Sequence, residues 1–311
     1  MGLVNFSVLL LLGIIWGSSF MFIKVGVAEL PPLLVAAGRM GIGATFLLAL
    51  LMVQGKRLPR DGGLWARIAL MGLINNAIPF TLIPWGEERI SSGLASILNA
   101  TMPLFTVLIA HYWTADERLS RAKLLGVTVG FLGVMALMGT DATDLNRAST
   151  QGELAVIAAT TCYAVATIFA RKYLHGPEPA VLATGQLATG FVFTLPPILL
   201  TVRPGPVAPS FPALASVAAL GLLGSGLAYL IYYWLLRRIN ATQMSLVTYL
   251  LPVTAVFWGA ALLGESLAAN DSLGLGLIVV GIMVVNGTGQ LALRQLGHGL
   301  NTRLWPGRPG L

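Results

Sequence analysis

The sequence predicts an all-α integral membrane protein with ten transmembrane helices, arranged as two inverted repeats of five helices. Composition, the spacing of apolar segments and an internal repeat support this prediction. Of the 311 residues, 56% are hydrophobic and only 10% are charged, whereas soluble domains usually carry about 25% charged residues. Because so few charges cannot cover a solvated surface of ordinary size, most of the surface is expected to face lipid.

Ten apolar segments are separated by charged residues and by clusters of proline and glycine. A hydrocarbon core of ~30 Å requires roughly 20 helical residues, and each segment is about that long. The connections are short, and residues 293–311 form a basic tail rich in glycine and proline. The predicted spans are 4–24, 32–54, 64–85, 91–113, 121–139, 152–171, 180–201, 211–235, 241–263 and 271–292.

The distribution of cations predicts that both termini are cytoplasmic. With the amino terminus inside, fourteen Lys and Arg residues lie in inner loops or the tail, four lie outside, and Arg39 falls within a span. An excess of Lys and Arg marks the cytoplasmic side of membrane proteins. An even number of spans also places both termini on one side.

The chain repeats itself at a distance of 147 to 149 residues, which predicts one repeat over residues 1–145 and a second over 150–292. Because each half has five spans, the second half enters the membrane from the opposite side. Inverted repeats of this kind place transporter substrates near the bilayer midplane and support alternating access. The matching pairs include Gly38 and Gly185, Trp85 and Trp234, Pro103 and Pro252, and Glu117 and Glu265.

Three stretches resemble the EamA family of the drug/metabolite transporter superfamily over residues 5–290. They are WGSSFMFIK, ERISSGLASILNATMPLFTVLIAHYWTADERLSRAKLLGVTVGFLGV, and its counterpart RRINATQMSLVTYLLPVTAVFWGAALLGESLAANDSLGLGLIVVGIMVV. The resemblance implies ten helices, a central cavity lined by spans 1, 3, 4, 6, 8 and 9, and packing roles for spans 5 and 10. Exporters of the YddG type, which carry amino acids, are the functional comparison that it suggests.

Spans 4 and 9 each contain a polar stripe that ends at a proline. The spacing places the members of each stripe on one helical face, and proline permits a kink. The stripes are interpreted as lining a substrate path, although Ser, Thr and Asn can equally bond neighbouring helices together. The stripe residues are Ser96, Asn99 and Pro103 in span 4, and Ser245, Thr248 and Pro252 in span 9.

Residues Trp16 to Phe20 read WGSSF and interrupt an otherwise apolar first span. Trp16, Ser19 and Phe20 share one face of the predicted helix, and Tyr163 and Thr167 hold the matching places in span 6. We predict that Trp16 and Tyr163 oppose each other across the cavity. The alternative for Trp16 is an anchor at the lipid interface.

Span 3 carries two adjacent amides, Asn75 and Asn76, shortly before Pro79. Because an unpaired amide in hydrocarbon costs several kcal/mol, at least one of them should face the cavity or a partner. Tyr229 and Tyr249 add rings with one polar end to the second half, and they complete the predicted substrate-binding set.

Arg39 is the one clear cation within a predicted span, and Gln186 holds the matching place in the other half. A charge inside the membrane is costly and is a functional candidate by default. The alternative is that Arg39 extends to the outer interface. With three His and one Cys in the chain, no metal or other cofactor is predicted.

All twelve Asp and Glu residues are predicted to lie in loops or at helix ends, with Glu87 and Glu88 at the outer mouth. Proton-coupled pumps commonly use a buried acid, so this placement argues against tight proton coupling. A single intramembrane cation also argues against phosphorylated substrates. The predicted function is a secondary transporter or facilitator that exports neutral or zwitterionic metabolites, foremost amino acids. The alternatives are proton-coupled efflux of lipophilic drugs or metabolites, and a membrane assembly protein without transport activity.

The expected partners are a small-molecule substrate and the lipid bilayer of a bacterial inner membrane. Enzyme activity is not predicted because no suitable nucleophile, base or metal constellation is present. Nucleic-acid binding is not predicted either, because the cations do not form one patch with aromatic residues. Gly126 and Gly130 form a GxxxG pair that fits either a homodimer or packing within a monomer.

Overall fold

The computed structural model describes residues 2–114, 119–138, 147–174, 176–203, 208–239, 244, 247–266 and 268–285. The predicted site residue Ser245 and the tail 293–311 lie outside the described residues. Within these ranges the regular secondary structure is entirely helical. The all-α prediction is therefore confirmed.

The first half contains five spans, two of which consist of consecutive helices. A π-helical turn at Gly72–Ala77 joins α3 to α4 without interruption. The helices are α1 (Leu3–Val27), α2 (Pro32–Val53), α3 (Gly62–Met71), α4 (Ile78–Glu87), α5 (Ser92–Asn99), α6 (Met102–Trp113) and α7 (Arg121–Met138).

The second half repeats this order. A second π-helical turn, at Leu220–Leu227, joins α10 to α11 at the place that corresponds to the first. The helices are α8 (Ala148–Tyr173), α9 (Pro179–Thr201), α10 (Phe211–Ala219), α11 (Ala228–Leu236), α12 (Val247–Leu263) and α13 (Ala269–Val285).

These helices form ten spans, as predicted. Seven helical stretches in the described part of the chain are long and apolar enough to cross a membrane. Val247–Leu263 and Asp271–Val285 are apolar but shorter, and α7 supplies the fifth span. The prediction of ten spans is confirmed.

The paired prolines of spans 4 and 9 have different effects on their helices. In span 4 the helix ends at Asn99 and restarts at Met102, so that Pro103 occupies the first turn of α6. Proline is tolerated there because the first turn does not need its missing N–H. In span 9, α12 continues through Pro252.

The two halves interlock, since α1 packs on α12, α2 on α9 and α4 on α8. Glycines allow α1 to approach α12 very closely. A Cβ added to Gly17 would lie 1.6 Å from Thr254 Oγ1, and one added to Gly13 would lie 2.7 Å from Leu250 Cβ. Small residues spaced in this way allow helix backbones to pack tightly in lipid.

Helices α7 and α13, which are spans 5 and 10, form the most extensive helix pair. A Cβ added to Gly126 would lie 2.6 Å from Gly281 O, and one added to Gly133 would lie 2.8 Å from Gly274 O. A Cβ on Gly130 would lie 2.2 Å from a side-chain carbon of Leu104. The GxxxG pair of Gly126 and Gly130 therefore packs against neighbouring helices of the same chain.

Candidate functional site

A buried polar cluster forms where α1, α2 and the second π turn meet. Arg39 is only 8% exposed, so it does not extend to the outer interface. Its Nε donates to Ser225 Oγ at 2.9 Å, and its Nη2 donates to Gly224 O at 3.3 Å. The guanidinium lies 3.9 Å from the centre of the Phe80 ring, a distance that favours cation–π attraction.

Trp16 joins this cluster through the same carbonyl. Its Nε1 donates to Gly224 O at 3.2 Å, and its ring lies 5.7 Å from that of Tyr232. Ser19 is buried beside them and donates to Ile15 O at 3.0 Å. A Cβ on Gly224 would lie 2.9 Å from Ser19 Oγ, so glycine leaves room for both donors to reach the carbonyl.

A second polar cluster surrounds the first π turn. Asn75 Nδ2 donates to Gln186 Oε1 at 3.0 Å, and Asn76 Nδ2 donates to the Tyr229 hydroxyl at 3.3 Å. Asn76 is fully buried, and its Oδ1 has no partner among the described residues. Pro79 follows immediately and cannot donate to the preceding turn, a property that favours a locally widened helix.

The two clusters occupy equivalent places in the two repeats. Arg39 of span 2 contacts Gly224 of span 8, and Gln186 of span 7 contacts Asn75 of span 3. Arg39 and Gln186 are 147 residues apart, and Asn75 and Gly224 are 149 residues apart. π turns often mark functional sites, and here each supplies the polar atoms of one cluster.

The π turns were not predicted from the sequence, and Gly224, Ser225 and Phe80 were not among the predicted site residues. Two sequence features mark them in retrospect. The first is the Asn75–Asn76 pair, and the second is the run LGLLGSGL, which replaces bulky residues with glycine and serine inside an apolar span.

Tyr163 of α8 packs against the cluster that holds Phe80 and Tyr229, and it is close enough to Arg39 for electrostatic interaction. The ring that contacts Trp16 belongs to Tyr232 rather than to Tyr163. Thr167 is exposed and donates to Tyr163 O at 2.9 Å.

The predicted stripe of span 4 is more enclosed than expected. Ser96 is fully buried and donates to Gly93 O at 2.6 Å, whereas Asn99 Oδ1 accepts from Thr160 Oγ1 at 3.4 Å. Among the other predicted residues, Phe20, Pro79 and Pro252 are buried, and Pro103, Thr248 and Tyr249 are half-buried.

A cavity of about 380 Å³ opens at the side predicted to be cytoplasmic, between the ends of spans 2, 7 and 8. Tyr229 and Leu230 line it, so it reaches toward the polar clusters. Lys56 and Glu178 form an ion pair at its edge.

The opposite side, predicted to be the outer one, is held together by one contact between the repeats and by another within the first repeat. The Glu265 carboxylate accepts from Ser92 N at 2.9 Å, from Ser92 Oγ at 2.6 Å and from Gly93 N at 3.3 Å. Lys24 Nζ donates to the main-chain oxygens of Ile90, at 2.8 Å, and of Glu87. Among the described residues, a cavity thus opens at the side predicted to be cytoplasmic, and contacts join the helix ends at the side predicted to be outer.

Among the described residues, two carboxyl side chains are buried although both lie near helix ends, so the predicted position of the acids did not imply exposure to water. Glu87 is 0% exposed, and Glu153 is 6% exposed. Glu87 is the last residue of α4, so it does lie at a helix end, as predicted. Its burial was missed because α8 covers the end of α4 at the Gly86–Gly152 contact.

Comparison with known proteins agrees with this architecture. The profile of the EamA-like transporter family matches residues 5–139 and 150–287. A crystal structure of a protein that is 20% identical has a TM-score of 0.64 and shares the fold, covering 91% of this chain and 96% of its own.

Bacterial relatives of similar length are named as transporters. "Uncharacterized transporter YoaV" of Bacillus subtilis is 28% identical over 87% of this chain and 92% of its own. "Uncharacterized inner membrane transporter YedA" of Escherichia coli is 28% identical over 90% of both chains. "Probable amino-acid metabolite efflux pump" of Salmonella typhimurium is 28% identical over 88% of this chain and 92% of its own.

Two matches to one family profile, ten spans and relatives named as inner-membrane transporters all lead to one conclusion. The chain is an integral inner-membrane protein that belongs to the EamA-like transporter family.

Proposed function

We propose that this transporter exports small neutral or zwitterionic metabolites, foremost amino acids, by alternating access between its two repeats. The observation that carries the proposal is that Arg39 is a buried cation without a carboxylate partner among the described residues. In the described part of the chain, no Asp or Glu oxygen lies within 4.0 Å of a guanidinium nitrogen of Arg39.

A buried cation without a carboxylate partner is costly, because its hydrogen bonds to neutral groups offset only part of its desolvation. The guanidinium has five N–H donors, and contacts to Ser225 and Gly224 use two of its nitrogens. The remaining donors suit a substrate carboxylate, which Arg binds in a bidentate manner.

Neighbouring groups suit the rest of an amino acid. The unpartnered Asn76 Oδ1 can accept from an ammonium group, and the faces of aromatic rings attract cations. The rings of Trp16, Phe80 and Tyr232 offer apolar contact to a side chain. A relative named "Probable amino-acid metabolite efflux pump" supports the same substrate class.

The asymmetry between the two sides supports alternating access. The inner cavity extends to Tyr229, whereas Glu265 and Lys24 hold the outer ends together. A second conformation, with the inner side closed and the outer side open, would expose the polar clusters to the outer solution. The inverted repeat provides two equivalent arrangements for such an exchange.

Counterflow into proteoliposomes tests this proposal. Purified protein would be assayed with radiolabelled aromatic, aliphatic and hydroxyl amino acids, and with the corresponding amines that lack the carboxylate. We expect counterflow of amino acids, weak competition by the amines, and loss of counterflow in Arg39→Gln and Arg39→Lys.

The matched control is Arg89→Gln. Arg89 also stacks on an aromatic ring, Trp85, at 3.7 Å, but it lies at the outer end of span 3, where Glu88 contacts it. Counterflow that persists in Arg39→Gln, or equal competition by amines and amino acids, would contradict the assigned role of Arg39. Absence of counterflow with every amino acid would reject the substrate class.

A further inference from the structure

Glu87 is the most thoroughly buried acid in the described part of the chain. Its side chain is 0% exposed, and neither carboxylate oxygen has a hydrogen-bond partner among the described residues. An ionised carboxylate in such a place costs several kcal/mol, and a buried group commonly avoids this cost by becoming neutral. As a carboxylic acid it leaves only neutral polar atoms unpaired, which costs less.

The charged groups around Glu87 do not neutralise it by direct contact. Lys24 of α1 reaches the end of α4, but its Nζ binds the main-chain oxygens of Glu87 and Ile90. Arg39 of α2 points to the second π turn. In the described ranges, no cationic nitrogen lies within 4.0 Å of the Glu87 carboxylate.

The remaining titratable neighbours are anionic, paired or neutral. Glu265, from the turn after α12, is itself an acid and is bonded to the start of α5. On the α4 side, Glu88 pairs with Arg89 at 2.8 Å. On α8, Glu153 and Tyr163 add no positive charge, and Arg171 and Lys172 lie in the last turn, at the far end from the Gly86–Gly152 contact. Arg147, which precedes the first turn of α8, has an interaction of its own.

At the position equivalent to Glu87 in the second repeat, the sequence carries no carboxyl group. The residue 149 positions later is Leu236, at the end of α11. Around it the repeat is closely preserved, because Arg89 stacks on Trp85 at 3.7 Å and Arg238 stacks on Trp234 at 3.9 Å. The carboxyl group of Glu87 therefore has no counterpart in the second repeat.

We propose that Glu87 is a proton-binding site that links closure of the outer side to uptake of one proton. When the outer ends separate, water reaches the carboxylate and the acid releases its proton to the outer solution. When they close, the carboxylate takes one proton from that solution and is buried as the neutral acid. This inference goes beyond the proposed substrate class and holds for any substrate.

Infrared difference spectroscopy of the reconstituted protein tests the site without any substrate. Subtracting the Glu87→Gln spectrum from the wild-type spectrum at neutral pH should reveal the C=O stretch of a protonated carboxylic acid. The control is Glu88→Gln, which alters the adjacent, partly exposed acid and should leave that band in place. If no protonated-acid band depends on Glu87 at neutral pH, the proposal is wrong.

Counterflow at varied external pH tests the link to closure. One proton shifts the closing equilibrium by at most about tenfold per pH unit. Wild type and Glu88→Gln should therefore show a pH dependence that Glu87→Gln lacks, because its side chain is permanently neutral. An unchanged pH dependence in Glu87→Gln would overturn the link. The spectroscopic test needs no substrate, so the proposal for Glu87 and the proposal of amino-acid export can fail separately.

Discussion

Glu265, in the turn that follows α12, accepts three hydrogen bonds from Ser92 and Gly93 at the start of α5, 173 and 172 residues earlier in the chain. The carboxylate thus caps a helix of the opposite repeat, where the exposed N–H groups and the helix dipole favour negative charge. Gly264 has a φ of +66°, and this left-handed conformation turns the chain sharply after α12. This turn therefore joins the two repeats at the side predicted to be the outer one.

Replacing Glu265 with alanine should destabilise the protein by about 2 kcal/mol, because hydrogen bonds to charged groups contribute about 1.5–3 kcal/mol and Ser92 is left buried without its acceptor. Thermal unfolding in detergent measures this loss. Glu88→Ala is the control, since its partly exposed ion pair with Arg89 should contribute less than about 1 kcal/mol. Equal melting temperatures for Glu265→Ala and wild type would contradict the capping role.

Replacing Gly17 with alanine should destabilise the protein by about 1–3 kcal/mol, since overpacking forces a well-packed contact to shift. The added Cβ would meet Thr254 Oγ1 and Cβ, at 1.6 and 2.7 Å. Gly276→Ala is the matched control, because a Cβ there has no neighbour within 4 Å. Combining Gly17→Ala with Thr254→Gly should recover part of the loss, and failure to do so would place the cause elsewhere.

The bond between Asn75 and Gln186 should show a coupling energy of about 0.6 kcal/mol, the average for side-chain hydrogen bonds within membrane proteins. A double-mutant cycle with Asn75→Ala and Gln186→Ala measures it through unfolding stability. Thr161→Ala is a useful third variant, because Thr161 Oγ1 bonds within its own helix, to Ile157 O. The stability loss caused by Thr161→Ala should simply add to the loss caused by either substitution. A coupling energy of zero between Asn75 and Gln186 would refute the contact.

The contact between Glu29 and Ser210 should make stability depend on pH in the acid range. The Ser210 hydroxyl and main-chain N–H hold the pKa of the Glu29 carboxyl below its usual value. Because the folded-state pKa is depressed, the contact stabilises the protein fully above the unfolded pKa of about 4.3. That contribution is lost as the pH falls through the folded-state pKa.

Melting temperatures of wild type and Glu29→Gln should therefore differ at neutral pH and converge in acid. The melting temperatures of wild type and Ser210→Ala should converge in acid in the same way. The double variant should be no less stable than the less stable of the two single variants. A difference between wild type and Glu29→Gln that persists unchanged in strong acid would show that the ionised contact is not the cause.

The ten spans and their repeat could be predicted because hydropathy and proline placement are local signals. Lipid requires helices wherever the chain crosses the membrane, so long apolar segments leave few alternatives. A kink at Pro103 was predicted from the same logic, since proline removes a main-chain donor, and the helix in fact breaks between Asn99 and Met102. Its partner Pro252 shows the limit of this reasoning, because α12 continues through it.

The site was harder to predict because its contacts join residues that are far apart in the chain. The roles of Arg39 and Ser225 depend on a contact across 186 residues, which no local pattern reports. Ser96 has the correct helical spacing for a path, yet it bonds within its own helix. The burial of Glu87 depends on which helix covers the end of α4, and that is a property of packing rather than of sequence periodicity.

The glycine contacts between α7 and α13 bear on the origin of the chain. Gly126 and Gly274 are equivalent in the repeat, as are Gly133 and Gly281, so the contact of Gly126 with Gly281 mirrors that of Gly133 with Gly274. Such reciprocity defines an isologous interface, the kind that two identical subunits form about a two-fold axis. Two separate copies of one five-helix unit would form the same reciprocal contact. The contact between α7 and α13 therefore fits a homodimeric ancestor whose gene was duplicated and fused.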